Sequence, residues 1–108
     1  MKDYISHGLQ QAHETLAAIM SDNSFIESFE EATELLVNAF KNNNRVFSCG
    51  NGGSMCDSMH FAEELTGRFR KDRAPLPATA ISDPGYISCV SNDFGYDHIF
   101  SRYLEGWS

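Results

Sequence analysis

The chain has 108 residues, 42% of them hydrophobic, with eight basic against fifteen acidic residues and a net charge of −7. That length allows one domain at most, and the apolar share lies above the range of disordered chains. The acidic balance argues against non-specific nucleic-acid binding, and no apolar run approaches the roughly 18 residues that a membrane helix needs. Met1-Lys2-Asp3-Tyr4 opens no apolar stretch of the kind that starts a signal peptide, so the expected compartment is the cytoplasm. The cysteines, Cys49, Cys56 and Cys89, form no CxxC pair, which fits a reduced protein. Cys49 and Cys89 each sit in an apolar stretch and are expected to be small buried residues.

In chain order, Ile5, Leu9, Ala12, Leu16 and Ile19 recur at three- and four-residue steps and predict a helix from Tyr4 to Met20. Ser21-Asp22-Asn23 breaks it. A second helix is predicted from Ser24, with Glu27 completing a capping box. Phe25, Phe29, Ala32, Leu35, Leu36, Ala39 and Phe40 form its apolar stripe, and Lys41-Asn42-Asn43-Asn44 closes it because Asn accepts left-handed backbone. Arg45 to Cys49 reads as a buried strand, Gly50 to Ser54 as a loop, and Met55 to Leu65 as a helix ended by Thr66-Gly67. Ala78 to Ser82 reads as a second strand and Asp83-Pro84-Gly85 as a turn. Ile87 to Val90 forms one helical turn, Ser91-Asn92-Asp93 a polar loop, and Asp97 caps a last helix from His98 to Leu104. Strand, helix, strand in that order predicts an α/β fold with a parallel sheet covered by helices. Two helices precede the first strand. Residues 1–44 form a helical region and residues 45–108 the start of a sheet unit, one part of a single domain.

Gly50, Gly52 and Gly53 let the backbone turn sharply and approach a ligand closely. The helix behind them aims its N–H groups and its positive dipole end at the loop, an arrangement suited to an anion or a polyol. The spacing lacks the third glycine of a dinucleotide fingerprint and the lysine of a P-loop. Ser54 is placed to cap the helix or to bond a ligand. His60 and Glu64, four residues apart, share a helix face and suit a metal pair, an acid–base pair or a plain surface pair. Glu63 is expected to point about 100° away from Glu64 around the helix. Asn92 and Asp93 follow the second strand, beyond whose C-terminal end ligands bind in open parallel sheets. The basic run from Arg68 to Arg73 reads either as a solvated loop or as a rim that meets a phosphate or another subunit.

The run Ser48-Cys49-Gly50-Asn51-Gly52-Gly53-Ser54, then Cys56-Asp57, then Met59 to Arg68, closely resembles the phosphoheptose isomerase family of sugar-isomerase (SIS) domains. Ala80-Ile81-Ser82-Asp83, Ile87-Ser88-Cys89-Val90, Asn92-Asp93-Phe94-Gly95 and Ile99 to Tyr103 continue the likeness. The resemblance implies a SIS-type three-layer αβα fold and an aldose–ketose isomerisation. Sedoheptulose 7-phosphate and D-glycero-D-manno-heptose 7-phosphate interconvert through an enediol at the start of heptose supply for lipopolysaccharide. It implies Glu64 as the base, and His60 and Glu64 as ligands of a zinc ion. Asn51, Gly52, Gly53, Ser54, Glu64, Asn92 and Asp93 would line the sugar phosphate. It also implies a homo-oligomer, a tetramer in the family, with no nucleic-acid or membrane partner.

In the family the chain continues to a Ser/Thr-rich phosphate loop and to a Gln and a His that complete the metal site. These 108 residues carry none of them, so little or no isomerase activity is expected of them alone. The competing reading is a non-catalytic SIS binding protein of the replication-initiator-associating type, which has no need of the base at Glu64. A sugar-phosphate sensor module is the third.

Overall fold

The computed structural model describes residues 1–108. The first helix, α1 (Lys2–Met20), begins slightly ahead of its apolar stripe. It stops at Ser21, whose N–H and hydroxyl both turn back to the Ala17 carbonyl. The second, α2 (Asn23–Lys41), is not capped by Ser24 as the capping box predicts. Asp22 does it: its carboxylate accepts from the Phe25 N–H at 3.3 Å and from the Ser24 hydroxyl at 2.6 Å. A carboxylate at this position both satisfies an orphan N–H and opposes the positive end of the helix dipole, so it outcompetes the hydroxyl. At the far end Asn43 takes the expected left-handed backbone, with φ 57°. The Asn44 N–H then reaches the Ala39 carbonyl at 2.9 Å, closing the helix.

Strands β1 (Val46–Ser48) and β2 (Ala78–Ala80) pair in parallel, Val46 opposite Ala78 and Ser48 opposite Ala80. Both are shorter than the apolar runs that contain them, and β1 is half-buried rather than buried. Each strand has a single neighbour, so one edge of each stays open. Helix α3 (Gly53–Thr66) makes the crossover between them and packs on both strands.

Past β2 the structure departs from the sequence reading. Asp83-Pro84-Gly85 is a helix start rather than a turn. Asp83 accepts from the Tyr86 N–H at 2.6 Å, and Pro84 occupies the first helical position, where its missing N–H costs nothing. The resulting α4 (Pro84–Phe94) runs unbroken through Ser91, Asn92 and Asp93. Gly95, at φ 99° and ψ 149°, ends it. A 3-10 turn (Tyr96–His98) and α5 (Ile99–Glu105) follow. Asp97 lies inside that turn and caps nothing.

The chain divides into two compact units, Met1–Asn38 and Ala39–Ser108. In the second, Ala62, Ile81, Val90 and Ile99 form the buried core, one side chain each from α3, the residue after β2, α4 and α5. Ser58 is buried with them; it donates to the Met55 carbonyl, and its own carbonyl accepts the Ser48 hydroxyl at 2.8 Å. Tyr86 donates to the Ile99 carbonyl and stacks edge-on against Tyr103, joining α4 to α5. Phe47, Tyr103 and Trp107 extend this aromatic cluster over β1. In the first unit the predicted stripes exist but much of their apolar surface is exposed, Leu9 to 68% and Leu35 to 73%, while Ile19 and Leu36 are half-buried. Cys49, Cys56 and Cys89 are all exposed, contrary to the expectation for Cys49 and Cys89. Cys49 lies just past the end of β1, and Cys89 precedes the residue of α4 that enters the core, Val90.

Candidate functional site

The chain leaves β1 through Cys49 and turns into α3 over Gly50, Asn51 and Gly52. A Cβ on Gly50 would sit 2.6 Å from the backbone carbon and oxygen of Ser54, so only glycine fits. Gly52 is the N-cap of α3, at φ 56° and ψ −122°, a conformation that other residues rarely adopt. The turn is sealed by the Ser54 N–H to the Asn51 carbonyl and the Met55 N–H to the Gly52 carbonyl, both 3.0 Å. Gly53 and Ser54 therefore belong to the first turn of the helix, and Ser54 is not its cap. No side chain caps α3, so its opening N–H groups face the loop, as an anion or polyol cradle requires. Asn51 accepts a hydrogen bond at Oδ1 from the Tyr96 hydroxyl at 2.6 Å.

Two and three turns along the same helix stand His60 and Glu64. His60 Nε2 and Glu64 Oε1 are 3.1 Å apart, with the imidazole 69% and the carboxylate 35% exposed. Glu63 is exposed to solvent, as its angular position predicts, yet it stays near the pair. Its carboxylate, the His60 ring and the Glu64 carboxylate bring their donor atoms within 4.8 Å of one another. Two methylenes give its carboxylate that reach, since His60 and Glu63 are three residues apart on the helix. Asp57, His60, Phe61, Glu64 and Phe69 line a shallow hollow of about 270 Å³. Sequence reasoning missed Asp57 and Phe69 here. Asp57 was legible, since residues 57, 60 or 61, and 64 follow one helix face. Phe69 arrives by reversal of the chain after α3, which no local pattern announces.

The basic run resolves into separate tasks. Arg73 donates from Nη2 to the Glu64 carbonyl and from Nη1 to the Leu65 carbonyl, each at 2.7 Å. A guanidinium there satisfies orphan acceptors and opposes the negative end of the helix dipole. Arg68 pairs with Asp72 on the surface.

Asn92 and Asp93 occupy the last turn of α4 rather than a loop after the strand. Asn92 Nδ2 donates to Asp93 Oδ1 at 3.0 Å. The other oxygen accepts from the Cys89 thiol at 3.5 Å, and this hydrogen bond, with the carboxylate charge behind it, raises the thiol pKa above its ordinary value. The structure thus brings His60 and Glu64 together with Glu63. It sets the glycine loop at the other end of their helix. It ties the segment after Asp93 to that loop through Tyr96.

The profile of the SIS domain matches residues 7–107. The chain belongs to the SIS domain family. This SIS chain is 60% identical over 104 residues to a phosphoheptose isomerase of Pectobacterium atrosepticum, a match that covers 96% of the chain and 54% of the relative. With a phosphoheptose isomerase of Sodalis glossinidius the identity is 56% over the same length and coverage. Among solved structures, phosphoheptose isomerase from Neisseria gonorrhoeae superposes with a TM-score of 0.80 at 29% identity, over 97% of this chain and 53% of that one. The phosphoheptose isomerase from Francisella tularensis gives 0.80 at 28% identity, over 96% and 55%. The SIS chain spans about half the length of the curated relatives it matches. Its two strands and covering helices form part of a SIS-type α/β fold, with two helices ahead of the first strand. No helix is long and apolar enough to cross a membrane.

Proposed function

We propose that this SIS chain supplies one part of an aldose–ketose isomerase site, which interconverts sedoheptulose 7-phosphate and D-glycero-D-manno-heptose 7-phosphate. The observation that carries the reading is the Glu64 carboxylate. It stands half-exposed on the wall of an open hollow, 3.1 Å from His60, on the helix that begins at the glycine loop. Glu64 removes the proton from the hydroxyl-bearing carbon beside the sugar carbonyl, and the electrons pass to the carbonyl oxygen to give an enediolate. A proton passes from the neighbouring hydroxyl to that oxygen through the enediol, and Glu64 returns its proton to the former carbonyl carbon as the new carbonyl forms. His60 holds the carboxylate in place through the contact between them. Asn51, Gly52, Gly53 and Ser54 take the sugar end, and Asn92 and Asp93 bond its hydroxyls. One imidazole and two carboxylates with donor atoms within 4.8 Å are a fitting set for zinc. His60 and Glu64 would hold the ion, which would supply a Lewis acid to polarise the sugar carbonyl. The largely exposed apolar stripes of α1 and α2 support assembly with further copies, a tetramer by family likeness. The setting proposed is the cytoplasm, at the start of heptose supply for lipopolysaccharide.

The test is a chimera in which residues 1–104 replace the matching part of the Pectobacterium relative. It should convert sedoheptulose 7-phosphate, while these 108 residues alone show little or no turnover. Glu64→Gln should lower the rate by about a hundredfold or more, the usual size of a proton-transfer contribution. A folded chimera without turnover defeats the reading.

A further inference from the structure

We propose that Tyr96 is a positioning residue for the sugar site: its hydroxyl locks the Asn51 side chain so that the amide offers only N–H donors to the ligand. Calling the ligand a sugar phosphate rests on the function proposed above; the positioning itself rests on the geometry of the two side chains.

Asn51 sits between Gly50 and Gly52, so neither chain neighbour has a side chain to hold its amide. Its side chain is held instead by the Tyr96 hydroxyl, 2.6 Å from Oδ1 and 45 residues away along the chain. Tyr96 is 52% exposed, so burial does not explain where its ring lies. The backbone delivers both partners. Gly52, at φ 56°, turns the chain immediately after Asn51, and Gly95, at φ 99°, turns it immediately before Tyr96. Other residues rarely adopt either conformation.

The consequence is chemical. The two faces of a side-chain amide are nearly equal in shape, and a half-turn about the last bond exchanges acceptor for donor. With Oδ1 engaged by the phenol, Nδ2 is the group left to meet a ligand. The atom opposite Asn51 is then an acceptor oxygen of a sugar, a hydroxyl or a carbonyl; a protonated amine at that point is refused. The same bond ties the glycine loop to the segment that follows Asn92 and Asp93, so two groups of proposed sugar contacts move as one.

Tyr96→Phe removes the hydroxyl and keeps the ring. Two measurements decide the matter, the first on the 108-residue protein and the second on the chimera described above. The first is the order parameter of the Asn51 side-chain amide from nitrogen-15 relaxation, which should fall in Tyr96→Phe. The second is a titration with sedoheptulose 7-phosphate for the wild type, Tyr96→Phe, Asn51→Ala and the double variant. Tyr96→Phe should weaken binding by about threefold to tenfold, the scale of one hydrogen bond. The double variant should bind as Asn51→Ala does, because Tyr96 acts through Asn51. The proposal is overturned if the amide keeps its order in Tyr96→Phe, if binding is unchanged, or if the Tyr96→Phe penalty persists in the Asn51→Ala background. If the chimera with the wild-type residues does not bind the sugar phosphate, the proposed function loses its support. The order parameter then decides the positioning alone: a fall upholds it and no change overturns it.

Discussion

Three glycines in one loop have three different reasons to be there, and substitution separates them. Gly50 has no room for a Cβ, Gly52 has a backbone that side chains avoid, and Gly53 has open space on the first turn of α3. Gly50→Ala should destabilise the fold by about 1–3 kcal/mol, the range for overpacking against a backbone that cannot yield. Gly53→Ala should leave thermal unfolding close to wild type, while placing a methyl group where the sugar is proposed to lie. Comparing melting temperatures of the two variants checks this, and equal losses would contradict it. His60 and Glu64 were legible in the sequence because i and i+4 on a helix are neighbours by geometry. The approach of the Glu63 carboxylate to within 4.8 Å of that pair was not, because a side chain's rotamer is chosen by its surroundings and not by its place in the chain.

Among the elements, helix boundaries turned on which of two capping signals won. Ser24 with Glu27, and Asp22 two residues before Ser24, are both credible starts for α2; the carboxylate prevailed. Bonds from the Ser24 hydroxyl and then from the Phe25 N–H hold Asp22 below its ordinary pKa of 3.8. A depressed carboxylate pKa in the folded state means that the unfolded state binds the proton more readily. The contribution of the cap is therefore complete above the ordinary value and disappears as the pH falls through the lowered one. Carbon-13 shifts of Phe25 to Glu27 should report the start of α2 loosening on acidification, and Asp22→Ala should show the looser start already at neutral pH. A variant with unaltered shifts would place the cap elsewhere. The same ambiguity hid α4. Asp-Pro-Gly reads as a turn in isolation, and only the helix that follows, held to α5 by Tyr86, makes Asp83 an N-cap.

At the scale of the whole molecule, the buried set is small: four apolar side chains and one serine, all in the unit Ala39–Ser108. Helices α1 and α2 bury nothing, although their stripes are as regular as those of helices that do. A largely exposed apolar stripe of this kind calls for another surface. Sedimentation of the wild-type protein should show assembly beyond the monomer. Leu9→Lys together with Leu35→Lys should move it toward the monomer, since each puts a charge into an apolar contact. A monomeric wild type would remove the proposal that these helices serve self-assembly.

The sequence by itself determined the periodic helices, the parallel strand–helix–strand order, the glycine loop and the His60–Glu64 pair. Each follows from spacing along the chain or from the conformations that glycine alone allows. Only the tertiary structure decided that Phe69 walls the hollow and that Arg73 closes the C-terminal end of α3. It also decided that Asn92 and Asp93 ride on a helix, and that Tyr96 reaches across to Asn51. Phe69 and Arg73 return to α3 by a reversal of the chain, α4 depends on which capping signal wins, and Tyr96 meets Asn51 across 45 residues; local pattern does not say how the chain folds back. The loop that opens α3 is readable from its glycines; the direction in which its asparagine faces is set by a phenol 45 residues away.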